Sequence, residues 1–265
     1  MKSSIILSVF LSLSIATNAL EWVGDFATLQ TWITSNSYGP QYREVVNDPK
    51  GSNQKVLKIR YPEGSYAGIP GTGTGFYIYP FGKVVQFTKA TLEYDILFPA
   101  NFLWVKGGKL PGLFGGRPSC TGADEAMDCY SARFMWDKNG NGYGYLYVPK
   151  YAPHLPEFCL YTNYKDCVRT YAFNFNQTSY FTTDKWIHVK EHIELNTINQ
   201  PNGKLQVWID GKLKADYDKI IWRVDSKVFT LGFQIESFFG GSSSPDFATP
   251  IEQFSYFKGF KFFDY

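Results

Sequence analysis

The chain has almost no charge imbalance. Its 265 residues carry 26 Lys and Arg against 24 Asp and Glu, a net charge of +2. That is too little to hold a polyanion by bulk electrostatics, so nucleic acid is not an expected partner. An anionic ligand would have to be met by a local cluster. Only four cysteines occur; none forms a C-x-x-C pair, which argues against a zinc site made from all of them. Beyond the N-terminus no apolar run is long enough to span a bilayer, and no membrane partner is expected. Internal repeats and low-complexity segments are absent. Helical periodicity is missing too, except over residues 21–35, where a short helix is expected.

Aromatics, by contrast, make up 18% of the chain. The length suits one domain over residues 20–265. Residues 1–19 read as a secretory signal: Lys2 is the positive end, 5–15 the short apolar stretch, and Thr17-Asn18-Ala19 the cleavage site. The expectation is a secreted, extracellular monomer. In that compartment cysteines pair. Cys120 with Cys129 and Cys159 with Cys167 bracket two short loops, and this local pairing is the choice among three connectivities. Asn176 opens an N-glycosylation sequon, expected on an exposed loop.

Alternating apolar and polar residues predict strands at 55–61, 75–81, 90–98, 131–136, 143–148, 186–195, 204–209, 229–239 and 254–263. Leu92, Tyr94, Ile96 and Phe98 form one apolar face. Many strands with few helices predict an all-β antiparallel sandwich.

Residues 106–116, K-G-G-K-L-P-G-L-F-G-G, hold five glycines, two lysines and one proline. Such a segment is read as a tight turn, too interrupted for a central strand. The hairpin that follows turns at D-K-N-G-N-G. If Trp136 pairs with Gly142, Arg133 faces Tyr145 and Ser131 faces Tyr147. All four side chains then share one sheet face, over which Lys109 could arch.

K-G-G-K-L-P-G-L-F-G-G, S-A-R-F-M-W (131–136) and Y-L-Y-V-P (145–149), in this order, resemble the core motifs of polysaccharide lyase family 14, the alginate and glucuronan lyases. Y-P-E-G-S-Y (61–66), S-F-F-G-G (237–241), A-T-P (248–250) and F-K-G-F (257–260) extend the likeness from Tyr61 to the C-terminus. The resemblance implies a jelly roll, no cofactor, no metal, and an acidic polysaccharide substrate. It implies that Lys109, Arg133, Tyr145 and Tyr147 are catalytic. Ser131 would position the sugar with Tyr147, Lys106 would assist binding, and Phe239 would offer a stacking surface at the groove. Phe247 stands where the family commonly has tryptophan before A-T-P.

The inventory suits β-elimination from a uronate. The C5 proton is a poor acid beside a carboxylate anion, so that charge must be offset. Arg133 suits this because guanidinium grips carboxylate with two parallel donors. A base takes the proton and an acid protonates the leaving oxygen. Lys109, Tyr145 and Tyr147 are the candidates, and the sequence leaves their roles open.

Two other readings compete. A jelly-roll lectin would bind acidic glycans without cleaving them. A glycoside hydrolase would use Glu93 and Asp95, which share a strand face, as a carboxylate pair about 5 Å apart. His188 and His192 share a face with Lys190 and Glu194 but lack a third metal ligand, so solvent exposure is expected.

Overall fold

The computed structural model describes residues 19–67, 69, 72–150, 173–241 and 243–265, without the side chains of 173–179. Residues 1–18 of the expected signal, and the Cys159 and Cys167 pair, lie outside them.

Fifteen strands are described. The first eight are β1 (Glu21–Val23), β2 (Thr34–Tyr38), β3 (Arg43–Asn47), β4 (Lys55–Tyr61), β5 (Thr74–Ile78), β6 (Lys89–Leu97), β7 (Gly108–Gly115) and β8 (Tyr130–Trp136). Then follow β9 (Asn141–Tyr147), β10 (Phe173–Ser179), β11 (Trp186–Glu194), β12 (Gly203–Ile209), β13 (Lys212–Ile220), β14 (Thr230–Ser237) and β15 (Gln253–Phe263). They form two antiparallel sheets. One runs β13-β12-β11-β6-β15-β4-β3, with β1 added on β15; the other runs β10-β9-β8-β7-β14-β5-β2. The all-β sandwich expected from the alternation is the fold. The helix expected over 21–35 is reduced to a short 3-10 turn, Phe26–Thr31, between β1 and β2. No helix among the described residues is long and apolar enough to cross a membrane.

The core lies between the sheets and follows from the period of two. Leu92, Tyr94, Ile96, Ile187, Val189 and Ile193 enter from one sheet; Leu113, Ala132, Phe134, Leu146, Phe233 and Ile235 enter from the other. Aromatic rings fill the middle: Phe260 stacks on Phe233 and on Tyr94, each at 5.3 Å between centroids. Such pairs add about 0.5–1.5 kcal/mol beyond their buried area.

The glycine-rich segment corrects the expectation of a turn. Residues 108–115 are a central strand, paired with β8 on one side and β14 on the other. Glycine is needed there because neighbours occupy the space of a side chain. A Cβ on Gly112 would lie 1.8 Å from the Ala132 carbonyl oxygen, and one on Gly108 would lie 2.1 Å from the Trp136 ring. Proline is tolerated because the strand bulges at that point. Between the pairs Lys109↔Met135 and Gly112↔Arg133, β7 carries Leu110 and Pro111 where β8 carries Phe134 alone.

Two buried polar groups of the opposite sheet reach across the core to this bulge. The Tyr94 hydroxyl donates to the Pro111 carbonyl at 3.4 Å. Glu191, which alternates with Val189 and Ile193 on the core side, accepts from the Leu113 N–H at 3.3 Å. Burial pushes the Glu191 carboxyl well above the usual carboxylate range.

The sequon also departs from expectation. Asn176 lies on β10, an edge strand, where the pairing with β9 shifts between Phe175 and Thr178. The outer-face histidines are not merely solvated. His188 Nδ1 lies 2.8 Å from Asp95, Lys190 lies 3.6 Å from Glu93, and His192 Nδ1 lies 2.8 Å from the Thr91 hydroxyl.

Two outcomes test this account. Gly112→Ala places its Cβ against immovable backbone, so it should destabilise by at least about 3 kcal/mol, the scale of severe core changes; equilibrium denaturation measures it. Glu191→Gln keeps the acceptor but removes the ionisation. A carboxyl with a raised folded pKa is neutral at low pH and costs stability as pH rises above its unfolded value. The variant's thermal midpoint should therefore exceed wild type increasingly from about pH 4.5 upward. A constant difference across pH would refute the buried neutral carboxyl.

Candidate active site

The face of the seven-stranded sheet turned away from the core carries the candidate site residues. The hairpin register is the one expected: Trp136 pairs with Gly142, Arg133 with Tyr145, and Ser131 with Tyr147. Gly112 on β7 continues the Arg133 row, then Gln234 on β14, then Tyr77 on β5. The neighbouring row runs Lys109, Met135, Tyr143. Lys109 does not arch over the sheet; it belongs to it.

The site is dry. Lys109, Ser131, Arg133 and Tyr147 are all under 5% exposed, and Tyr145 is 8% exposed. Lys109 Nζ lies 3.0 Å from the centroid of the Tyr145 ring and donates to Met135 Sδ at 2.9 Å. The Tyr143 hydroxyl donates to the same sulfur at 3.1 Å. Burial holds the Lys109 pKa well below the usual lysine value. The Arg133 charge adds to this, and Glu236 opposes it.

Arg133 reaches over Gly112 to β14, where one terminal nitrogen pairs with the Glu236 carboxylate. The other donates to the Thr121 hydroxyl at 3.1 Å, and Nε has no hydrogen-bond partner among the described residues. The guanidinium is thus held from two sides by the protein itself. Burial works against its charge, but Glu236 and the surrounding tyrosines keep its pKa above the usual arginine value. Tyr77, on the far side of Glu236, is pushed up to about 12 by burial and by that carboxylate. Tyr38 is raised for the same reasons.

The loop between β7 and β8 is closed by the Cys120–Cys129 disulfide, as expected from the spacing. Site residues also tie it down. Ser131 Oγ donates to the Cys120 carbonyl at 2.9 Å, and the Ala123 N–H reaches the Tyr147 hydroxyl at 3.4 Å. In this state the Ser131 hydroxyl is engaged in fixing the loop.

Two expected binding residues lie elsewhere. Lys106 sits at the rim, 41% exposed and paired with Asp246 at 2.5 Å. Phe239 is 1% exposed and belongs to the core, packed on Tyr61, Phe102 and Trp136. It cannot stack on a sugar. The alternation along β14 puts Ser237 and Phe239 inward and gives Phe238, half-buried, the outward direction. Glu93 and Asp95 are on the other sheet and are matched by His188 and Lys190.

Sequence reasoning missed Met135, Gln234 and Glu236. Their signal was present. Met135 follows Ser131 and Arg133 at the same period, and Gln234 and Glu236 alternate with Phe233, Ile235 and Ser237 on a strand with a buried apolar face.

The crystal structure of the marine PL-14 alginate lyase from Aplysia kurodai is 27% identical, with a TM-score of 0.77 over 93% of this chain and 99% of that one. That of alginate lyase vAL-1 from Chlorella virus is 22% identical, with a TM-score of 0.76 over 92% and 98%, and shows likeness of fold. The exolysin of Paramecium bursaria Chlorella virus 1 is 28% identical over 196 residues, 64% of this chain. The chain spans only 28% of that relative's length. The family model for polysaccharide lyase 14 matches residues 49–260, and the chain belongs to that family.

Proposed function

We propose that the chain cleaves a 1,4-linked polyuronate by β-elimination at the Lys109–Arg133–Tyr145 cluster, and that it acts outside the cell. Alginate is the first substrate to test, because the Aplysia relative is named an alginate lyase; glucuronan is the second. The observation that carries the reading is a lysine amine buried against a tyrosine ring, on the same sheet face as a fixed guanidinium. The signal-like N-terminus and the Cys120–Cys129 bridge support the compartment.

In this reading the substrate carboxylate is met by the positive charge of Arg133, which makes the C5 proton more acidic. Lys109 takes that proton, since burial favours its neutral form. The electrons left on C5 form the C4–C5 double bond. The bond from C4 to its glycosidic oxygen breaks, and that oxygen takes a proton from the Tyr145 hydroxyl. Return of the proton from Lys109 to Tyr145, over whose ring the amine lies, resets the site. Tyr147 orders the sugar beside the disulfide loop. Glu236 holds the guanidinium in place and offsets its charge on the enzyme.

A panel of polyuronates separates the readings. A lyase makes a product that absorbs in the ultraviolet, a hydrolase makes reducing ends without it, and a lectin makes neither. Lys109→Ala and Tyr145→Phe should each lower turnover at least about a hundredfold, the scale of a lost base or acid. Arg133→Lys should act on turnover more than on binding, because charge survives and the fork does not. Full activity in all three variants would remove the cluster from the mechanism.

The pH profile gives an independent check. The profile of kcat/KM reports the free enzyme. A base must be unprotonated, so the rate should rise with pH through the Lys109 pKa, at a limb well below the ordinary 10.5. Glu236 opposes the depression, so Glu236→Gln should move that limb to still lower pH. A limb that stayed in place, or moved up, would show that another group is the base.

A further inference from the structure

Gln234 is 1% exposed, and neither its Oε1 nor its Nε2 has a hydrogen-bond partner among the described residues. Buried polar groups are almost always paired, so an amide with both ends idle requires a reason. The core does not supply one. Gln234 lies between Phe233 and Ile235, which face the core, so its own side chain is on the active face.

Its position there is specific. In the strand register it pairs with Gly112, and Gly112 pairs with Arg133. Gly112 has no side chain, so nothing on β7 stands between Gln234 and Arg133. Two strand spacings, about 10 Å between Cα atoms, separate them, within reach of two long side chains extending toward each other. Arg133 also has an idle donor, Nε, while its two terminal nitrogens are taken by Glu236 and Thr121. Two buried donors without partners therefore flank one glycine in the row that carries Tyr145.

We infer that Gln234 Nε2 and Arg133 Nε form the receptor for the uronate carboxylate, with Gln234 Oε1 accepting from a sugar hydroxyl. This inference rests on the polyuronate reading above and names the atoms that recognise the substrate. It also explains why the guanidinium can be held by Glu236 and still serve: its terminal nitrogens position it and Nε binds. Gln234 is neutral, so it adds a donor without changing the charge that depresses Lys109.

The test uses the full chain. Gln234→Met keeps the length and volume and removes both polar atoms. A structural glutamine would destabilise when lost; an idle buried amide should not, because an apolar group of the same shape is as good or better there. Q234M should therefore melt at or above the wild-type temperature. Its affinity for a saturated uronate oligosaccharide, measured by calorimetry in the Tyr145→Phe background, should fall about tenfold to a hundredfold, the range of a hydrogen bond to a charged group. The same oligosaccharide with its carboxylates reduced to alcohols should show a much smaller loss. Gln234→Glu, which keeps the shape and turns the donor edge into a repelling acceptor, should weaken the uronate at least as much and serves if the methionine variant does not fold.

Unchanged uronate affinity in either variant overturns the inference, as does a lowered melting temperature with unchanged KM. An equal loss for the reduced ligand also overturns the carboxylate assignment. If the wild-type chain neither binds nor cleaves any polyuronate, the functional reading fails first and takes this inference with it. If wild type cleaves and Q234M cleaves equally well with the same KM, only the inference fails.

Discussion

The site depends on one extra residue in one strand. A β-strand sends successive side chains to opposite faces, so Lys109 and Gly112, three positions apart, should point opposite ways. They instead share the outward face, because Leu110 and Pro111 together oppose the single residue Phe134. Without the bulge, Lys109 would fall opposite Trp136 and enter the space between the sheets. With it, the amine lies on the Tyr145 ring. The bulge leaves backbone groups to be satisfied, and the opposite sheet satisfies them through Tyr94 and Glu191. A proton-transfer geometry on one face is thus braced by polar contacts on the other.

Electrostatics follow from that placement. Moving an ammonium out of water costs several kcal/mol even after relaxation, which is why the buried amine sheds its proton readily. Arg133 stays charged under the same burial because Glu236 is bound to it. Counting neutral Lys109, positive Arg133 and negative Glu236, the three groups sum to about zero. An arriving carboxylate makes the cluster anionic and raises the proton affinity of Lys109. In the proposed reaction the base therefore strengthens as the substrate settles, and the cation formed by proton transfer lies beside the charge that provoked it. No bulk positive surface is needed, in keeping with a net charge of only +2.

Much of this was legible in the sequence where local rules govern. The turn D-K-N-G-N-G sets the β8–β9 register, and the period of two then puts Ser131, Arg133, Tyr145 and Tyr147 on one face. The failures come where a distant neighbour decides. Glycines in residues 106–116 were read as strand breakers, yet Trp136, Ala132 and Tyr130 exclude larger residues from a paired strand. Phe239 was one position out of phase, since the phase of β14 is set by its partners and not by the loop after it. Glu236 reaches Arg133 across an intervening strand, and Gln234 shares the Arg133 row there, juxtapositions that no spacing in the sequence expresses. Met135 was hidden by its type, because a methionine beside Phe134 and Trp136 reads as core.

The same physics bears on whether this face binds or reacts. A lectin for acidic glycans gains from lysines matched to anions, as the half-buried Lys190 and Lys258 are on the opposite sheet. Lys109 has the opposite surroundings: a thioether, an aromatic face and an arginine nearby, all under nearly complete burial. That setting weakens the attraction of the amine for an anion and favours its neutral, proton-accepting form. Glu93 and Asp95, the candidates for hydrolysis, lie on the opposite sheet, where Lys190 and His188 engage them, away from the face that carries Lys109, Arg133 and Tyr145. A cluster costly as a binding surface and apt for moving a proton is what elimination from a uronate requires, and the structure places its buried amine, fixed guanidinium and phenol on a single face.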